Sequence, residues 1–199
     1  MPIPKKVEDY LNKANKAFET VSHKTVYTAY DLAKTLKKDL KSIAKALLVR
    51  ADNEYVIVVL PSSSRINLQK LKTALKAKKV TIPGEKVMKE AFKVKPGAIT
   101  AFGGLHKVKT VVDKGLIKTK DVIVQAGSFT DSVRIKVKDF IDMEEAAILN
   151  FAEKAKYKVP KVVVAKRKKT AGKNKKRAVP KKSAKPKKKT ARAKAKKNT

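Results

Sequence analysis

Few residues in this chain have the types that drive covalent chemistry, and their scarcity narrows the field. There is no cysteine, and the two histidines, His23 and His106, stand far apart in sequence, each followed by a lysine. Thiolate zinc sites, Fe–S clusters and cysteine nucleophiles are therefore excluded, and two histidines make a poor metal centre, so neither a metal nor another cofactor is expected. The patterns Gly-x-Ser-x-Gly, His-Glu-x-x-His, the Walker lysine loop and Gly-x-Gly-x-x-Gly are absent, which removes the common hydrolase and nucleotide-binding machinery. What remains is one lysine and one glycine-rich stretch. Lys45 lies in Ile43-Ala44-Lys45-Ala46-Leu47-Leu48, at the entry to an apolar run, where an ammonium either reaches solvent or points into a cleft. Pro96-Gly97-Ala98-Ile99-Thr100-Ala101-Phe102-Gly103-Gly104 gathers three of the seven glycines, which either shape turns or let the backbone approach a ligand.

The elements that must position these residues read as an α+β domain. Val7, Tyr10, Leu11, Ala14, Ala17, Phe18 and Val21 recur at three- and four-residue spacing and predict a first helix. His23 to Tyr27 predicts a short strand, and Thr28 caps a second helix through Leu36. Asp39 starts another short helix reaching Ile43 and Ala44. Ala46–Arg50 and Tyr55–Leu60 predict two strands joined by a tight connection at Ala51-Asp52-Asn53-Glu54, the second buried on both faces because it is apolar without alternation. Leu68, Leu71 and Leu75 mark a helix, Val80-Thr81-Ile82 a strand, and Val87 to Phe92 a small helix. Strands are then expected at Ala98–Phe102, Thr110–Asp113, Asp121–Gln125 and Ser132–Val137, with a closing helix over Asp139–Ile141 and Glu144–Ala155. The expected architecture is three main helices beside a mixed, barrel-like sheet.

Charge separates a second region. The chain of 199 residues carries 51 Lys+Arg against 17 Asp+Glu, a net charge of +34. Residues 158–199 hold twenty of those cations and no acid, while residues 1–157 hold all 17 acids. Beyond Val162-Val163-Val164 the large apolar residues give out, so the segment is expected to be a disordered polybasic tail following a domain over 1–157. Its stretch from Pro180 to Lys189 is similar in composition to linker-histone tails. Lys166, Arg167, Lys168, Lys169, Lys175, Lys176 and Arg177 are candidate contacts to nucleic-acid phosphates. No apolar run of about 18 residues and no secretory leader is visible, so no membrane partner and a cytoplasmic location are expected.

Taken in order, several segments resemble one family. His23 with Thr28-Ala29, Ile43-Ala44-Lys45-Ala46-Leu47, Ile66-Asn67-Leu68-Gln69-Lys70-Leu71, Gly97 to Gly103, Val111-Val112-Asp113 and Gln125-Ala126-Gly127-Ser128 are similar to the YbaK / prolyl-tRNA-synthetase-associated editing domain. The resemblance covers about residues 5–150 and rests on the ordered set rather than on any one motif. It implies a mixed barrel-like sheet flanked by helices and hydrolysis of the ester between a wrong amino acid and its tRNA. It makes Lys45 the functional lysine that holds the acceptor end, and Gly97, Thr100 and Gly103 the loop whose backbone contacts the aminoacyl moiety and helps place the water. His23, Tyr27, Thr28, Ala101, Phe102, Gly127, Ser128 and Thr130 become candidate substrate-binding residues. Two departures stand out: Ala101 replaces the family's usual loop proline, and the 125–130 segment lacks the histidine found in some members.

The expected function is thus a free-standing aminoacyl-tRNA deacylase whose tail tethers tRNA, with an aminoacyl-tRNA synthetase as a further partner and other RNA or DNA reached through the tail. The competing expectation, from a different class, is a nucleic-acid-binding or compacting protein built on a catalytically idle editing fold.

Overall fold

A computed structural model describes residues 3–92 and 99–155. Its elements in chain order are α1 (Lys5–Lys13), β1 (Phe18–Ser22), α2 (Ala29–Leu36), β2 (Ala44–Ala51), β3 (Glu54–Pro61), β4 (Ser64–Ile66), α3 (Leu68–Leu75), β5 (Val80–Thr81) and α4 (Glu85–Ala91). Then come β6 (Lys109–Asp113), β7 (Asp121–Gln125), β8 (Asp131–Lys136), α5 (Val137–Met143), β9 (Ala147–Leu149) and β10 (Ala152–Lys154), with short 3₁₀ turns at Leu40–Ser42, Gly103–His106 and Leu116–Lys118. The mixed α+β class is as expected.

The strands form three sheets. A five-stranded sheet runs β5-β2-β3-β6-β9, with β2 antiparallel to β3 and β3 parallel to β6, which is parallel to β9. A three-stranded antiparallel sheet runs β1-β8-β7, and β4 pairs with β10. A parallel bridge between Ile43 and Ile123 joins the start of β2 to β7, so the two larger sheets curl toward each other. Between them lies the main core: Ala44, Leu48, Ile57, Val59 and Val112 face Val122, Val124, Val133 and Ile135, with Leu11 of α1, Phe102 and Phe140 closing the ends. On the outer face of the larger sheet, Val49, Val58, Leu60 and Val111 pack under Leu71 of α3 and Phe151. Alternate residues of β3 are thus taken by two cores, which explains its unbroken apolar run.

Four expected elements are corrected. The first helix stops at Lys13, because Asn15 adopts φ 50° and reverses the chain. Phe18–Ser22, expected as its last turn, instead pairs with Asp131–Ile135 as β1. The expected strand at 23–27 is a loop, held along the 129–130 segment by His23 N–H to the Thr130 carbonyl (2.8 Å) and Val26 N–H to the Phe129 carbonyl (2.9 Å). The described part of the expected 98–102 strand, Ile99–Phe102, is irregular. Finally, the closing helix ends at Met143, where Glu145 turns left-handed at φ 46°. The residues beyond it form β9 against β6 and β10 against β4, because open sheet edges there outweigh the helical preference of an alanine-rich segment.

Candidate functional site

Lys45 is the second residue of β2, paired with Leu60 of β3. Strand alternation puts Ala44 and Ala46 in the main core and leaves Lys45 on the other face, half-buried. Its ammonium donates to the Ser64 carbonyl oxygen at 2.6 Å. Among the described residues no carboxylate pairs with it, and burial holds its pKa below the ordinary lysine value. An ammonium kept partly dry without a counter-ion is primed for an incoming anion. A single parallel bridge joins Ile43 to Ile123, two residues before Lys45 on one strand and two before Gln125, where the 125–130 loop begins, on the other.

That loop and the 23–28 segment form a polar cluster around Asp131. Ala126 is buried, and Gly127 turns the chain at φ 80°, a left-handed conformation that side chains other than glycine resist. Asp131, fully buried at the start of β8, accepts from the hydroxyls of Ser22 (2.9 Å), Ser128 (3.2 Å) and Thr130 (2.6 Å). Burial alone would push its carboxyl up, but these three donors outweigh it and hold the group below the usual carboxylate range. With their protons committed to Asp131, the Ser128 and Thr130 oxygens keep lone pairs for a donor. The His23 ring is fixed on both sides, with Nδ1 2.9 Å from the Lys24 carbonyl oxygen and Nε2 2.9 Å from Ser132 Oγ. A ring so placed donates from Nδ1 and accepts the Ser132 hydroxyl proton at Nε2. Tyr27 is 69 % exposed and leans on Phe129 with ring centroids 5.2 Å apart, while Thr28 caps α2 by accepting from the Asp31 N–H.

The glycine stretch is used differently. Gly97 lies outside the described residues, as do Lys166, Arg167, Lys168, Lys169, Lys175, Lys176 and Arg177. Thr100, Ala101, Phe102 and Gly103 are all buried. Thr100 Oγ1 makes only long contacts, 3.5 Å to the Phe102 carbonyl and 3.4 Å to His106 Nε2. The Gly103 N–H donates to Thr110 Oγ1, which donates to Glu144 at 2.7 Å, and the same carboxylate accepts from Gly104 N–H and Tyr10 OH. A Cβ on Gly103 would run into Thr110 Oγ1 and the Val108 carbonyl oxygen, so glycine is needed there for close approach, with its N–H engaged inside the fold. His106 sits edge-on to Phe92, and burial, with Lys6 nearby, lowers its pKa.

The structure therefore gathers His23, Tyr27, Ser128 and Thr130 along one seam between the 23–28 segment and the 128–132 segment. It ties Thr100 and Gly103 to a second network built on Glu144. A cavity of ≈ 590 Å³, lined in part by Asp52, Glu54, Lys76, Lys109 and Glu144, opens at the hairpin end of β2 and β3, away from Lys45. Sequence reasoning missed three residues at these sites. Asp131 carried a readable signal, a carboxylate set among Ser128, Thr130 and Ser132. Glu144 and the Ser64 carbonyl carried none, since both partnerships are long-range.

Comparison with known proteins supplies the remaining evidence. Residues 23–143 match the family model for the aminoacyl-tRNA editing domain. A proline–tRNA ligase of Thermosipho melanesiensis is 28% identical over 116 residues, 58% of this chain and 20% of that protein. One of Thermosipho africanus is 26% identical over 113 residues, 57% of this chain and 20% of that protein. The chain thus spans about a fifth of the length of these curated relatives. A crystal structure described as that of a candidate trans-editing enzyme for prolyl tRNA synthetase superposes with a TM-score of 0.68 at 15% identity, covering 75% of this chain and 96% of the other. At that identity the likeness speaks for the fold, which is the mixed barrel-like sheet expected. With the family model spanning more than half of its residues, the chain belongs to the aminoacyl-tRNA editing domain family.

Proposed function

We propose that residues 1–157 hydrolyse the ester of mischarged tRNA in trans, in the cytoplasm, and that residues 158–199 add affinity for RNA. The observation that carries this reading is the half-buried ammonium of Lys45, with which no carboxylate among the described residues pairs. Lys45 would hold a phosphate of the acceptor end. Ser128 and Thr130, their protons drawn to Asp131, would accept from the α-ammonium of the amino acid. In the reaction a water oxygen bonds to the ester carbonyl carbon and the bond from that carbon to the ribose oxygen breaks. A proton passes to the ribose oxygen, releasing free amino acid and tRNA. An ester so labile needs chiefly a placed water and donors to the developing oxyanion. With the Gly103 N–H engaged by Thr110, those donors would come from elsewhere in the loop or from a substrate hydroxyl. The proline–tRNA ligases among the relatives favour proline tRNA as the substrate and a synthetase as a partner.

A second reading, a polyanion-binding protein on an idle fold, is favoured by the tail's twenty cations without an acid. One experiment separates the two: release of amino acid from proline tRNA carrying alanine, serine or cysteine, with Lys45→Ala and a chain ending at Tyr157 as controls. The deacylase reading expects turnover that Lys45→Ala removes and the shortened chain retains. Absence of release from every member of the panel, with binding lost only on shortening, supports the second reading.

A further inference from the structure

One helix of the body departs from the rest in charge. Among the described residues α1, α2, α4 and α5 each carry at least one acid, whereas α3 carries none. The gap is wider than the helix: from Tyr55 to Gly84 there is no Asp or Glu, while Arg65, Lys70, Lys72, Lys76, Lys78 and Lys79 fall within it. All six are exposed, and among the described residues only Arg65 of the six takes an ion pair, with Glu153. On the other helices lysines are interleaved with acids, which leaves a mixed, solvated face; here nothing offsets them. The fold lays this stretch on the face that carries Lys45. Lys45, Leu47, Val49 and Ala51 alternate onto the outer side of β2, and Leu71 and Leu75 of α3 pack on the cluster that includes the last three. One end of the stretch is fixed beside Lys45, because Ser64, whose carbonyl accepts its ammonium, opens β4, and β4 runs into α3 through the Asn67 cap. The other end is fixed at the β2–β3 hairpin. There the Asp52 carboxylate accepts from the Lys78 and Lys79 N–H groups at 3.1 and 2.7 Å, and the Asp52 N–H donates to the Lys79 carbonyl oxygen at 2.8 Å. From Lys45 to Ala51 a strand advances about 3.3 Å per residue, roughly 20 Å in all. A line of cations of that length thus starts beside the candidate site and runs away from it.

We propose that the exposed side of α3 and the turn after it, through Lys72, Lys76, Lys78 and Lys79, is the docking surface for the phosphates of an acceptor-stem duplex whose 3′ end lies at Lys45. The inference rests on the reading of Lys45 as the acceptor-end residue, and it concerns the body alone. The buried Leu71, the Asn67 cap and the bonds to Asp52 hold these lysines in place before RNA arrives, so the surface sets the direction in which the stem leaves the site. Contacts to phosphate position a duplex and carry no base sequence directly.

The test is the affinity of the full chain for an uncharged acceptor-stem minihelix, measured by fluorescence anisotropy over a salt series. In one variant Lys72, Lys76, Lys78 and Lys79 are changed to Gln together. A control loses the same charge elsewhere, with Lys118, Lys120, Lys136 and Lys138 changed to Gln; these flank the end of the β7–β8 pair where Asp121 meets Lys136, opposite the 125–131 loop. All eight side chains are exposed, so both variants are expected to melt like the parent. A triple variant that spares Lys76, whose φ is 54°, preserves the test if that position proves sensitive. The expected result for the α3 variant is minihelix binding roughly tenfold weaker or worse at low salt, with a log–log salt slope flatter by about 3, against a loss of about twofold or less for the control. On a single-stranded RNA of the same 3′ sequence the two variants should bind alike. Equal losses on the minihelix, no loss by either protein, or an α3 loss as large on the single strand overturns the proposal. Hydrolysis is read separately: if Lys45→Ala leaves amino acid release untouched, or no release occurs at all, the reading of Lys45 fails while the binding comparison still decides whether α3 holds the stem.

Discussion

At the scale of single residues, Lys45 poses a conflict between stability and use. Burial makes the folded protein less willing than the unfolded chain to hold this proton, so at neutral pH the charge opposes folding, and stability rises as pH climbs toward the ordinary lysine range. Replacing Lys45 with Met is expected to leave the denaturation midpoint at or above that of the parent while removing tRNA-dependent activity; a clear drop in the midpoint would show the ammonium to be structural. His106 follows the same sign at lower pH. Its folded pKa is depressed by burial and by Lys6, so between pH 7 and pH 5 the unfolded chain takes up a proton that the folded one resists, and stability falls. Urea titrations at the two pH values should show that loss, and His106→Gln should shrink it. Lys45 stands out in the sequence because a lysine interrupts an apolar strand entry. Asp131 was not singled out although its neighbours Ser128 and Thr130 supply two of its three donors; only the third, Ser22, lies more than a hundred residues away.

Elements were legible where turn chemistry was present and misread where it was disguised. Thr28, Asp39 and Asn67 each cap the turn that follows them, and the β2–β3 hairpin reverses at Asp52-Asn53 as expected. The ends of helices were harder, because the chain seldom marks them with glycine. Asn15, Lys37, Lys76, Lys107 and Glu145 all take positive φ at such ends. At two of them the reversal is closed by the hydrogen bonds usually built around glycine, Lys38 N–H to the Ala33 carbonyl and Ala77 N–H to the Lys72 carbonyl. Changing Lys37 or Lys76 to Gly is expected to stabilise the protein by about 0.5–1 kcal/mol each, the relief of left-handed strain less the added chain entropy of glycine; thermal melts of the single and double variants would show additive gains. β10 was misread as helix because what holds it, Asp113, lies in another strand. That carboxylate accepts from Gly115, Phe151 and Ala152 N–H groups. Asp113→Ala should therefore cost about 2–4 kcal/mol, with amide exchange rising first across residues 64–66 and 151–154.

For the molecule as a whole, no helix among the described residues is long and apolar enough to cross a membrane, and the sequence pattern alone already carried the α+β class. Two cores divide the alternate residues of β3, and a bridge at Ile43–Ile123 joins the entry to β2, which carries Lys45, to β7, which leads into the loop held by Asp131. The most direct measurement of that account is single-turnover release of alanine from mischarged proline tRNA by the full chain and by Lys45→Met. The account predicts rapid release by the parent and a rate at least a hundredfold lower for a variant that is as stable as the parent. Equal rates for the two proteins, or release no faster than spontaneous hydrolysis for both, would contradict it.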